Sequence, residues 1–364
     1  MKNVFIILVA SMAVIAAYGR GGHYVLIAKD AEFVNGRYAY LGIEDMRTGD
    51  SEIADSVLIA DNTARFEGKI DRPAVAYIMT ATAAGTDLPD GRKLVQGTAI
   101  LEAGKIELCR MAGLLYPEAG GTPLNDMLVS FMTVTAQTRE KLEEADTEAE
   151  VTRLMNEYFV YAENTIHENR NNALGAYLLD LMAAEMPPAI ALRLISDFSE
   201  CEERFAPIKA QAQTALTVSA GNAYIDIIGT DADGAEISLK DVVQGNGRRY
   251  VLVDFWASWC GPCMQQLKAL KKLYDNYRER GFEIYAVSSD FSREAWTDAV
   301  AAERLEWINV MADGGMESPA YEKYAVSAIP SNVIIDCATG KIVAVNLFST
   351  ALESKIQELV KNRK

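Results

Sequence analysis

The stretch Val251–Cys263, VLVDFWASWCGPC, constrains this chain more than any other. Tyr250 to Trp256 is a short, nearly continuous apolar run of the kind found in strands covered on both faces. Beyond it, Met264, Leu267, Leu270, Leu273, Tyr274 and Tyr277 keep helical spacing until Gly281, which suits a helix C-cap. A strand that turns straight into a helix puts Cys260 at the helix N-terminus, where unpaired N–H groups and the helix dipole stabilise a thiolate. Only the thiolate attacks a disulfide. Cys260 therefore reads as a nucleophile, and Cys263, one turn on, as the thiol that resolves the mixed disulfide. Pro262 suits the first turn, because the N–H it lacks would have no partner there.

Other uses of the pair fit less well. A structural zinc site wants a second Cys/His pair at comparable spacing, and the remaining cysteines, Cys109, Cys201 and Cys337, are scattered singly. Covalent c-type haem needs a histidine directly after the second cysteine, where this chain has Met264. An inert structural disulfide stays open, although a strand-to-helix turn behind Trp259 is an unusual place for one. Five cysteines do not make a disulfide-stapled small domain. The three single ones read as small buried hydrophobes or, for Cys337, a turn residue.

The chain changes period twice before it reaches this motif. From about Tyr24 to Leu108, short extended runs alternate with turn residues, and Asn35-Gly36 between two apolar stretches signals a hairpin. Another turn is expected around Gly104. This part reads as a small antiparallel β-sandwich. From about Pro123 to Leu216 the spacing is helical, with Val151, Leu154, Met155, Tyr158 and Ala162 on one face. Leu174, Tyr177, Leu178, Leu181 and Met182 form another face, and Pro187-Pro188 separates two helices. His167, among polar residues, reads as a surface or capping side chain. From about Gly221 the pattern is α/β, ending in a turn at Ala338-Thr339-Gly340 and a helix that Thr350 to Glu353 would open as a capping box. The expected organisation is residues 1–19 as a signal peptide, 20–115 as the β-sandwich, 116–218 as the helical segment and 219–364 as the α/β domain.

The signal-peptide reading rests on Lys2, the apolar run Val4 to Ala17 and the small residues Ala17 and Gly19. That run is shorter than the ~20 residues of a membrane span, so an uncleaved anchor ranks second. No cysteine near its end would take a lipid. Export would bring the chain to an oxidising compartment. The net charge of −16 and the lack of a Lys/Arg cluster argue against nucleic acid as a partner. Solubility explains the acidity most simply.

The order VLVDFWASWCGPC, helix, YAVSSD, then YAVSAIPSNVIID and a terminal hairpin and helix resembles the thioredoxin superfamily. Within it, the match is to the exported, membrane-linked thiol–disulfide oxidoreductases (TlpA/ResA-like), over about Gly221 to Lys364. The preceding portion is similar to the N-terminal β domain (DUF4369-like) and helical segment often fused to such modules in Bacteroidetes-type bacteria. The resemblance implies a thioredoxin-like α/β fold with a redox-active Cys260–Cys263 disulfide and no separate cofactor or metal. It implies that Asp254 lies buried behind Cys263, its pKa raised by burial, poised to take the Cys263 proton. The plainer alternative for Asp254 is an exposed strand-end carboxylate. Ile329-Pro330 matches the family's cis-proline loop, which would present the Ile329 backbone to an incoming substrate, with Trp259, Gly261 and Pro262 beside it. Trp256 is expected in the core.

Two departures stand out. Many exported relatives have an acid three residues after the second cysteine, where this chain has Gln266, and YAVSSD offers no lysine to pair with Asp254. The implied activity is reduction of protein disulfides, with a membrane thiol donor regenerating the pair. A disulfide oxidase or isomerase on the same site, or a non-catalytic partner-binding module, is the alternative. A peroxidase fits less well, for want of a lone cysteine in a Pro/Thr-rich loop. The sequence is silent on oligomeric state.

Overall fold

The computed structural model of this chain describes residues 21–30, 33–80, 94–109, 118–145 and 147–361. The expected signal peptide lies outside them. Among the described residues, no helix is long and apolar enough to cross a membrane. The chain divides into two compact units, Met1–Ile208 and Lys209–Lys364.

In the first unit, β1 (Gly22–Lys29), β2 (Tyr38–Glu44), β3 (Ser51–Leu58), β4 (Thr63–Ile70), β5 (Ala74–Thr80), β6 (Leu94–Leu101), β7 (Gly104–Cys109) and β8 (Glu118–Gly120) form two four-stranded sheets. One runs β4-β1-β7-β8 and the other β3-β2-β5-β6. Leu26, Phe66 and Ile106 from the first meet Leu41, Ile78 and Leu101 from the second in one core. Two expectations need correction. The sandwich is not wholly antiparallel, because β1 and β7 run parallel. Nor does Asn35-Gly36 fold β1 onto β2, since those strands lie in different sheets. The turn does form, with Gly36 at φ +80°, but the Asn35 side chain accepts from the Asn62 amide at 2.8 Å. It thereby closes against the β3–β4 turn, and its chemistry serves a crossing between sheets. The bend at Gly104 likewise carries the chain from β6 in one sheet to β7 in the other.

Helices α1 (Pro123–Glu144), α2 (Glu148–Glu168), α3 (Ala173–Met182), α4 (Pro188–Asp197) and α5 (Glu202–Thr217) follow. Pro188 occupies the start of α4 as its missing N–H allows. Leu154, Tyr158 and Ala162 are buried as their spacing predicts, while Val151 is exposed. Arg204 of α5 is buried with its Nε 2.7 Å from Asp180 of α3 and a terminal nitrogen 2.6 Å from Glu44 of β2.

The second unit is a seven-stranded mixed sheet with helices on both faces. Its strands are β9 (Ile228–Thr230), β10 (Glu236–Ser238), β11 (Tyr250–Trp256), β12 (Phe282–Ser288), β13 (Ile308–Met311), β14 (Ser331–Asp336) and β15 (Lys341–Val345), in the order β10-β9-β13-β12-β11-β14-β15. All seven residues of β11 are buried, as its apolar run demands of a strand enclosed by layers. Side chains alternate along it. Leu252 and Trp256 join α7 (Gly261–Tyr277), Trp296 of α8 (Arg293–Glu303) and α10 (Ser349–Lys361) on one face. Val251, Val253 and Phe255 join α6 (Leu239–Val243) and α9 (Pro319–Lys323) on the other. The last helix already begins at Ser349, so Thr350 sits inside its first turn and the expected capping box is not what starts it.

Candidate active site

Strand alternation places Asp254 on the same face as Leu252 and Trp256, the face against which Cys260, Cys263 and the rest of α7 pack. Its backbone neighbours are Ala286 of β12 and Asn332 of β14, so the strand is paired on both edges at this point. The carboxyl is 2% exposed, and Oδ1 has no hydrogen-bond partner among the described residues. Burial alone pushes its pKa up to about 7. The physical reason is loss of hydration without compensating donors, which penalises the charged form.

Cys260 is the N-cap of α7, and Cys260 and Cys263 are joined as a disulfide. The Cys263 amide donates to the Cys260 sulfur at 3.2 Å. A negative charge on this sulfur would thus meet both a fixed N–H donor and the positive end of a helix dipole. Cys260 is 4% exposed and Cys263 2%, so the first cysteine has only a small window to solvent and the second less. Gly261 and Pro262 are exposed beside them. A Cβ added at Gly261 would meet nothing within 4 Å. Packing therefore leaves open space at this glycine, between the two cysteines in sequence.

The Ile329-Pro330 bond is cis, and the Ile329 carbonyl oxygen lies 3.8 Å from the Cys260 sulfur. Trp259 is 58% exposed next to Cys260, whereas Trp256 is buried. The backbone thus brings Cys260, Cys263, Trp259, Ile329 and Pro330 together, with Asp254 behind them on the strand. Gln266, one turn after Cys263, has its side-chain nitrogen buried without a hydrogen-bond partner among the described residues.

The sequence reading missed a second buried carboxylate. Asp290 follows the end of β12, is 2% exposed, and accepts from the Ser258 amide at 2.9 Å, the Ser258 hydroxyl at 2.6 Å and the Ser288 hydroxyl at 2.6 Å. Three donors satisfy this carboxylate, as burial of a polar group demands. Asp290 pins the loop that carries Trp259 and Cys260. Tyr321 adds a second brace, donating its hydroxyl to the carbonyls of Val287 at 2.9 Å and Trp256 at 3.2 Å. The signal was an aspartate at the end of an apolar strand parallel to β11, since parallel strands deliver their C-terminal ends to one crevice.

The other cysteines, Cys109, Cys201 and Cys337, are free thiols. Cys201 is buried and Cys337 is half-buried, its thiol pushed up to about 11 chiefly by burial. Cys109 is exposed, contrary to the expectation of a buried hydrophobe, because the pleat of β7 turns it outward after buried Leu108. Among the described residues, no group of three or more His, Cys, Asp or Glu side chains could hold a metal ion.

This architecture and site define a thioredoxin-like domain, and residues 220–345 match the AhpC/TSA family. The domain is 34% identical over 114 residues to the thiol-disulfide oxidoreductase ResA of a Bacillus cereus strain, covering 31% of this chain and 61% of that protein. ResA of Bacillus subtilis (strain 168) is 27% identical over 142 residues, 39% of this chain and 74% of its own. The chain thus spans about three-fifths of the length of the first of these relatives. Among solved structures, the thioredoxin domain of a thiol-disulfide oxidoreductase from Bacteroides vulgatus is 31% identical, with 39% of this chain and 98% of that one covered and a TM-score of 0.36. A thiol:disulfide interchange protein from Bacteroides sp. is 30% identical, with 41% and 94% covered and a TM-score of 0.37.

Proposed function

We propose that this chain is an exported thiol–disulfide oxidoreductase that reduces disulfides in protein substrates. The observation that carries this reading is the Cys260–Cys263 disulfide at the N-terminus of α7 with the unpartnered Asp254 carboxyl on the strand behind it. In the reduced enzyme, the Cys260 thiolate attacks one sulfur of the substrate disulfide. A mixed disulfide forms and the first substrate sulfur leaves as a thiolate. Cys263 loses its proton to Asp254 and attacks the Cys260 sulfur, which closes the internal disulfide and releases the second substrate sulfur. Two electrons pass from the dithiol to the substrate, and a thiol donor, in this reading one held at a membrane, returns the pair to the reduced state. The Cys-Gly-Pro-Cys sequence favours reduction, since thioredoxin, with its low-potential site, sits at about −270 mV and strong oxidants near about −120 mV.

Export is part of this proposal, supported by Lys2 and the apolar run Val4 to Ala17. The test is turnover of a disulfide-bonded protein with dithiothreitol as donor. Cys260→Ser is expected to abolish it, and Cys263→Ser to accumulate an enzyme–substrate mixed disulfide visible on a non-reducing gel. Residual turnover in Cys260→Ser would overturn the mechanism.

A further inference from the structure

The most exposed large hydrophobic side chain among the described residues is Phe291, 83% exposed at the bend between β12 and α8. Its neighbour in sequence, Asp290, holds both the amide and the hydroxyl of Ser258, and the residue after Ser258 is the exposed Trp259, followed by Cys260. One carboxylate therefore joins the loop of Phe291 to the loop of Trp259 and Cys260, at the C-terminal ends of β12 and β11. Phe291 is not a loose surface ring. A Cβ added to Gly315 would lie 3.0 Å from its Cε1 and Cζ atoms, so the ring edge rests on the backbone of that glycine. Gly315 itself is buried and has φ +63°, a conformation that favours glycine there. The turn beneath is thus shaped to let the ring lie close, while the rest of it faces solvent. An exposed aromatic of this size, next in sequence to the aspartate that is hydrogen-bonded to the cysteine loop, offers apolar area to whatever approaches that loop.

We infer that Phe291 is a specificity-determining residue that, with Trp259, binds an apolar side chain flanking the disulfide of the protein substrate. This rests on the reductase reading and names the class of substrate the site takes: cystines in apolar sequence, as found in chains whose core is still exposed. The Ile329 carbonyl beside Cys260 offers a backbone contact that is blind to sequence, so the two rings supply the selectivity. Phe291 acts by contact with substrate and not on the reacting sulfurs.

The experiment compares two synthetic disulfide peptides, identical except that leucine or serine flanks the cystine, with oxidised glutathione as a third substrate. kcat/KM is measured for the full chain with dithiothreitol as donor. The wild type is expected to prefer the leucine peptide by about tenfold, the range of a single apolar contact. In Phe291→Ser the ratio is expected to fall to within about twofold, and in Phe291→Leu to remain mostly intact. An undiminished ratio in Phe291→Ser, including one in which both peptides slow equally, overturns the inference and leaves the reductase reading standing. A wild type that turns over glutathione or the peptides with no preference also overturns it. A wild type that reduces none of the three overturns the reductase reading and this inference with it.

Discussion

Asp254 is the residue on which the proposed chemistry turns, and its protonation can be read as stability. The unfolded carboxyl titrates near 3.8 and the buried one near 7, so across that window the folded chain keeps a proton the unfolded chain has released. Stability then falls as pH rises through the window, by about 1.4 kcal/mol per unit and ~4 kcal/mol in all. Well below pH 3.8 both states are protonated and the penalty vanishes, and at pH 4 little of it remains. Asp254→Asn, which cannot ionise, is expected to be more stable than the wild type at pH 8 and no more stable at pH 4, as chemical denaturation of the oxidised protein at both values would show. Equal effects at the two pH values would mean the carboxyl is not buried as described. The same substitution removes the acceptor for the Cys263 proton. Its resolution step should slow by a factor on the order of 10² at pH 8, with the wild-type rate rising through pH 7 as Asp254 ionises. Stopped-flow decay of the mixed disulfide reports that step directly.

Among the elements, β11 and α7 form the rigid frame, and the loop between them is held from β12. Asp290→Ala removes the acceptor of three donors, one of them a backbone amide, and is expected to cost about 1–3 kcal/mol with faster hydrogen exchange at Ser258 to Cys260. Unchanged exchange there would show that Tyr321 and the strand ends suffice to hold the loop. In the other unit, Arg204 links α5 to α3 and β2. Arg204→Ala leaves Glu44 buried beside no cation, which should cost about 3–5 kcal/mol, measured as a lowered denaturant midpoint of that unit. The elements also show what local pattern reveals and what it conceals. The buried strand, the cysteine helix and the terminal hairpin were legible because each is fixed by nearby residues, from the apolar run of β11 to the Ala338-Thr339-Gly340 turn. Asn35-Gly36 misled because a turn dipeptide fixes the direction of the chain locally and not which strand it pairs with. Asp290 stayed hidden for a related reason. Its partners in the cysteine loop lie far away in sequence, and only the parallel pairing of β11 with β12 brings them together.

At the scale of the whole molecule, the residues of the proposed redox chemistry lie in one of two compact units, Lys209–Lys364, while the sandwich and most of the helical segment make up the other. The α/β character of the second unit was visible in the change of hydrophobic period near Gly221, because a covered sheet and an amphipathic helix write different patterns. A role for the first unit was not visible, since among its described residues no strand or helix carries a group of His, Cys, Asp or Glu that could hold a metal ion. The central claim for the molecule is that Cys260 and Cys263 form a reducing dithiol. The measurement that tests it is the reduction potential of this pair, obtained by equilibrating the protein in graded dithiol buffers and trapping free thiols. A value near about −270 mV, that of thioredoxin, is the result the account predicts. A value above about −180 mV, the region of protein disulfide isomerase, or no reversible disulfide at all, would contradict it.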